Sequence, residues 1–271
     1  MFRQGQIEDI RNIMLLEDTP SSDASLSYCR SMRDRRRQKL PTQLPAPALS
    51  KLKSWMSERS SSLLLAEGNG VRTSCLDFAV DFLDTVLERG HPILWALPSM
   101  LEERDTQPSL TGILRSLISQ ALSLSSAATD DGVNPITAKH IKSARSLDQW
   151  LALFERCTLT FSHLFVVIDI GVVDAAVEHE EMETSSFTVA DFIERMAELV
   201  KRRGDENILK IIVASWRFST VTSLEATEVF EDLHISTDMG RKVERLMRQP
   251  KHRAMFRQRN RKFAERFKTI L

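Results

Sequence analysis

The chain has 271 residues, 42% of them hydrophobic and 27% charged, with 37 Lys and Arg against 37 Asp and Glu. That length suits one sizeable domain with extensions, or two small ones, and the composition is that of a globular protein rather than a disordered or fibrous one. A formal net charge of zero points to no particular partner for the chain as a whole.

Cys29, Cys75 and Cys157 lie far apart and form no CxxC pair, which suits a reducing compartment. The opening MFRQGQIEDI has acidic residues and no apolar core, unlike a secretory signal. The most apolar stretch, 164–173, contains Asp169 and is too short to span a bilayer. A soluble protein with no transmembrane segment, cytoplasmic or nuclear, is expected.

Residues 1–47 read as an N-terminal extension. A short amphipathic segment (Ile7, Ile10, Ile13, Met14) runs into the turn-rich TPSSDAS, and 26–39 carries the basic cluster MRDRRRQK. The cluster at 33–39 reads as a solvated surface patch. Three prolines within PTQLPAP make an extended linker. The folded domain is expected over 48–240.

Within it, 49–58 predicts a helix with Leu52, Trp55 and Met56 on one face, and 62–66 a short buried strand. Gly68, Asn69 and Gly70 break that strand. A helix follows over 74–89, with Leu76, Ala79, Val80, Leu83 and Leu87 on one side, and Gly90 ends it as a C-cap. Residues 92–97 predict a second buried strand, 110–124 a helix, and 147–159 a helix with Trp150, Leu151, Phe154 and Cys157 inward. The segment 164–169, LFVVID, is the clearest strand of the chain. An acidic loop is expected after it, over 174–183. A helix over 189–203, a strand over 209–215 and an edge strand over 229–235 complete the domain. Near-continuous apolar strands separated by helices imply an α/β fold: a doubly wound, mostly parallel sheet with helices on both faces.

Ligands of such sheets bind beyond the carboxyl ends of the strands. Three of those ends carry candidate residues. The first is the turn in AEGNGVRTSCLDF. A strand, a Gly-rich turn and a helix start present backbone N–H groups and a positive dipole end to an anion. Gly68, Asn69, Gly70, Arg72, Thr73 and Ser74 are its candidate anion- or nucleotide-binding residues. An active turn reads GxxxxGK[ST], with lysine on the β- and γ-phosphates and the hydroxyl on Mg²⁺. Here Thr73, Ser74 and Cys75 stand at the Gly, Lys and Ser/Thr positions. The second end is FVVIDI, where Asp169 has the position of a Mg²⁺-holding carboxylate and Ile170 that of the catalytic acid. The third is KIIVASWR, where Ser215 or Arg217 would lie near a γ-phosphate.

On SSLLLAEGNG, HPILWAL, SARSLDQWLALF, LFVVIDI and LKIIVAS, residues 26–240 resemble the P-loop-like module of fungal proteins related to NACHT or STAND NTPases, in a degenerate form. The resemblance implies a regulatory or scaffolding lineage, commonly downstream of a helical domain in multidomain proteins, with protein partners. With Ser74 at the lysine position and Ile170 at the second acid, it implies no turnover. No catalytic residue, metal site or cofactor is expected, with Mg-nucleotide the less favoured alternative.

Other constellations are weaker. His179 sits among glutamates in VEHEEME, but the spacing is not HExxH, so a solvated acidic loop is the better reading. No GxSxG elbow occurs. Residues 241–271 depart most from the rest: between 241 and 268 there are twelve Lys and Arg against two Glu. Pro250 splits this basic tail into two short helices or a helix and a tail. Met255, Phe256, Phe263 and Phe267 form an apolar stripe among Arg253, Arg257, Arg259, Arg261, Lys262, Arg266 and Lys268. Such a segment fits nucleic-acid phosphates, an anionic membrane surface, an acidic partner or nuclear import, or else docks on its own acidic domain. Nucleic-acid binding through this tail, and a nucleotide binder without hydrolysis, are therefore the alternatives to an inactive interaction module. An enzyme of unrelated chemistry on the same sheet remains a further class.

Overall fold

The computed structural model describes residues 21–37, 46–68, 72–99, 109–128, 136–181, 187–204, 206–216 and 230–235. Its elements in chain order are α1 (Ser22–Arg37), α2 (Ala46–Ser57), β1 (Ser62–Gly68), α3 (Arg72–Glu88), β2 (Ile93–Ala96), α4 (Leu110–Ala128), α5 (Ala138–Ser143), α6 (Leu147–Thr158), β3 (His163–Asp169), α7 (Ile170–Glu181), α8 (Val189–Lys201), β4 (Ile208–Ser215) and β5 (Phe230–Ile235). The strands form one sheet in the order β2-β3-β4-β1-β5, and every pairing is parallel. β5 is an edge strand, and β4 lies between β1 and β3.

The apolar runs that predicted strands are buried on both faces because helices cover both. Leu63, Leu65, Val166, Ile168, Ile211 and Val213 face a core shared with α4, α6, α7 and α8. Their alternates Leu64, Ala66, Phe165, Val167, Ile212 and Ala214 face a second core built with α1, α2 and α3. The period of two along each strand divides one apolar sequence between two interiors. Fully buried Phe82 anchors the second core against Trp55, Phe78 and Phe165.

Local signals act where the sequence puts them. Ser146 with Gln149, and Thr188 with Asp191, form capping boxes that start α6 and α8. Gly90 closes α3 with φ at 71°, and the amides of Gly90 and His91 donate to the carbonyls of Leu87 and Val86. That left-handed turn favours glycine. On the edge strand β2, Gln120 of α4 accepts from the Trp95 amide at 3.0 Å and donates to its carbonyl at 2.9 Å, which covers part of an otherwise open strand edge.

Two expectations need correction. The run 174–183 is not a loop for most of its length. α7 extends to Glu181, with Val172, Val173, Ala176 and Val177 buried while Glu178 faces solvent. The acidic residues had hidden an apolar face of helical spacing. The basic cluster at 33–39 is also not a solvated patch over its described part. Arg33 is 9% exposed, and its Nη1 lies 3.0 Å from Asp81 and 2.6 Å from Asp84. Arg36 pairs with Asp77, Arg37 with Asp81 and Arg30 with Asp84. These aspartates recur along one side of α3, so α1 docks there with Arg30, Arg33, Arg36 and Arg37 toward it, while Arg35 faces solvent. Leu26 and Cys29 join the same core as the sheet. α1 thus packs into the unit expected to begin at residue 48. Burial opposes the charge of Arg33, but the Asp84 hydrogen bond and the charges of Asp81 and Asp84 outweigh it and hold its pKa above the ordinary value.

Candidate functional site

Parallel pairing brings the carboxyl ends of β1, β4 and β3 to one edge of the sheet. Glu67 stands opposite Ser215, and Asp169 opposite Ala214. β1 ends at Gly68, and α3 starts at Arg72. The intervening residues, including Asn69 and Gly70, lie outside the described residues, as does Arg217. The same holds for Arg253, Arg257, Arg259, Arg261, Lys262, Arg266 and Lys268 of the basic tail.

Asp169 is the best-defined group at this edge. It continues the alternation of Phe165 and Val167, so it points to the α3 side. It is 2% exposed. Its Oδ1 accepts a hydrogen bond from the Gly171 amide at 2.9 Å, while Oδ2 is buried with no hydrogen-bond partner. Burial pushes its pKa up to about 6, against the opposing pull of the Gly171 hydrogen bond and the charge of Arg72. A carboxyl so enclosed is costly to ionise unless a cation or proton donor answers it.

Arg72 supplies part of that answer. Its guanidinium carbon lies 4.9 Å from the ring centroid of Trp216, just beyond β4, in cation–π geometry. Gly171 is where the two side chains close in. A Cβ added there would sit 2.6 Å from Trp216 Cη2 and 2.8 Å from Arg72 Nη2, so glycine permits the approach. Arg72 from α3 and Trp216 from the end of β4 thereby meet over Gly171 at the start of α7, whose amide holds Asp169.

The remaining expected residues fall around this group. Thr73 is exposed, and Ser74 is half-buried on the first turn of α3. Cys75 is buried, and its thiol donates to the Ser215 carbonyl at 3.1 Å, which ties α3 to β4. Ser215 is buried. Ile170, at the position of a catalytic acid, is buried in the core on the opposite face. Sequence reasoning did not single out Trp216, Gly171 or the buried carboxylate Glu67. The first two stand directly after strand-ending Ser215 and near strand-ending Asp169, so strand-end position was the available signal. Their mutual contact was not readable from spacing.

Chemically, this edge combines a helix amino end, which favours negative charge, with a cation and a half-answered carboxylate. Among the described residues no group of three or more His, Cys, Asp or Glu is arranged to hold a metal ion. No helix among them is long and apolar enough to cross a membrane. Compared with family models, curated proteins and solved structures, the chain finds no match.

Proposed function

We propose that the chain is a catalytically inactive P-loop NTPase-like module with a regulatory or protein-interaction role. The layout supports this reading. A Gly-ended strand leads into a long helix, and one strand separates it from a strand ending in aspartate, with all three ends at one edge. The resemblance to degenerate NACHT- or STAND-related modules rests on the same segments.

The observation that carries the inactive reading is the stacking of Arg72 on Trp216 over Gly171, next to Asp169 and acting on its carboxyl by charge. In a working site, a carboxylate in this position serves Mg²⁺, and lysine serves the phosphates. Here a guanidinium acts on the carboxylate by charge, an indole packs against that guanidinium, and a half-buried serine stands at the lysine position. The free Oδ2 would accept a cation, but the neighbouring arginine charge disfavours a divalent ion. These residues do not fit a catalytic Mg-nucleotide.

The test is turnover of Mg·ATP and Mg·GTP by the full chain beside Asp169→Asn. The expected result is no release of phosphate above the protein-free rate in either form. Mg²⁺-dependent hydrolysis by the wild type that Asp169→Asn abolishes would overturn the proposal.

A further inference from the structure

α1 is held to the fold by charge more than by apolar contact. Of its sixteen residues only Leu26 and Cys29 are buried hydrophobics, while Arg30, Arg33, Arg36 and Arg37 meet Asp77, Asp81 and Asp84 of α3. What α1 presents to that row is a pattern: Leu26, then basic residues four, seven and eleven positions on, at Arg30, Arg33 and Arg37. On a helix these four positions share one face.

The same pattern stands near the end of the chain, in Met255, Arg259, Lys262 and Arg266. Basic residues at that spacing occur nowhere else in the sequence. Residues 251–271 contain neither proline nor glycine, so nothing in them breaks a helix. One position differs: Glu265 stands where α1 has Arg36, the partner of Asp77.

We infer that the aspartate row of α3 docks one basic helix at a time: α1 fills it in this structure, and residues 255–266 of the same chain are its second occupant. Asp81 and Asp84 serve both, so the two exclude each other. Glu265 forgoes the Asp77 pair, which makes the second occupant the weaker and α1 the resident. The exchange decides which basic segment, α1 or the tail, is available to a partner. Reach permits it. β5 ends at Ile235, and α2, which shares a core with α1 and α3, packs against β5. The chain from Ile235 to Met255 can extend over roughly 65 Å. The inference goes beyond the reading above and does not rest on it.

The test is zero-length carbodiimide coupling of the full chain, read by mass spectrometry. The reagent joins a carboxylate to an amine and leaves guanidinium groups untouched. α1 has no lysine, so a link from Asp81 or Asp84 to Lys262 reports the tail and not the resident. Light and heavy-isotope chains are mixed to separate links within one chain from links between copies. The expected result is a Lys262 link to Asp81 or Asp84 within one chain, weakened at least about fivefold between about 0.05 M and 0.5 M salt. Arg30→Gln, a change at a part-exposed position that helps to hold α1, is expected to raise the yield about two- to fivefold. Arg259→Glu with Arg266→Glu keeps Lys262 and is expected to abolish the link. Arg257→Glu with Arg261→Glu makes the same charge change on the opposite helix face and is expected to leave the yield within about twofold. Absence of the link from both wild type and Arg30→Gln would overturn the inference. So would a yield that Arg30→Gln does not raise, or equal loss in the two charge-reversed pairs. Links made only between copies, or made in preference to the exposed Glu178 and Glu194, would also overturn it.

Discussion

On the α1–α3 side of the molecule, Arg33 enters the core with Asp81 and Asp84 both in ion-pairing range. At the carboxyl edge of the same sheet, Asp169 enters with one oxygen answered by the Gly171 amide and the other by nothing. Both regions remove charge from water, yet only Arg33 meets opposite charge at ion-pairing distance. A buried charge with full partners is a packing device, and removing it leaves its partners stranded. A buried charge left half answered is a cost that the fold carries at a strand end where ligands of parallel sheets bind.

The largest expected effect tests the first region. Arg33→Ala removes the buried cation shared by the half-buried Asp81 and Asp84, leaving them Arg37 and Arg30, and a loss of about 3 kcal/mol of stability, the low end for a broken buried pair, is expected in urea unfolding. A loss below about 1 kcal/mol, the ordinary worth of an exposed pair, would remove the distinction between this network and a surface one.

The second region should respond with the opposite sign. Asp169 titrates at about 6 in the fold against an ordinary value of 3.8, so the folded state holds the proton more tightly than the unfolded chain does. Its ionisation therefore destabilises the fold progressively as pH rises from about 4 to 6, and fully above that. The ceiling of this penalty is about 3 kcal/mol. Asp169→Asn should raise stability by up to that amount at pH 7.5 and by nothing near pH 4, in parallel denaturation series. A loss of stability at pH 7.5 would mean that the carboxylate is answered after all.

The smallest effect sharpens the comparison from inside the arginine network. Arg30 pairs with the same Asp84 as Arg33, but its side chain is 40% exposed. Arg30→Ala is expected to cost less than about 1 kcal/mol by the same urea measurement. A cost equal to that of Arg33→Ala would show that burial is not what gives the pair its weight.

Much of this architecture was legible in the sequence, and for a physical reason. Strands buried on both faces must be apolar throughout, so 62–66, 164–169 and 209–215 stood out, and the breaks at Gly68 after a strand and at Gly90 after a helix set their neighbours. The carboxyl-edge residues Gly68, Asp169 and Ser215 followed from the rule that parallel sheets bind at that edge. α7 was missed because Glu and Asp on its outer face masked the spacing of Val172, Val173, Ala176 and Val177. The role of Arg33 was missed because charge patterning along one segment cannot reveal a complementary row on another, here Asp77, Asp81 and Asp84. The meeting of Arg72 with Trp216 over Gly171 joins residues more than forty positions apart, and no local pattern encodes it.

The most direct test of the half-answered carboxylate is its own titration, followed by NMR of the side-chain carboxyl carbons in chain labelled at aspartate, with Asp169→Asn used for assignment. A midpoint near 6 is expected for Asp169. A midpoint at or below the ordinary 3.8 would contradict the account, because it would mean that a cation or further hydrogen bonds satisfy the group in solution.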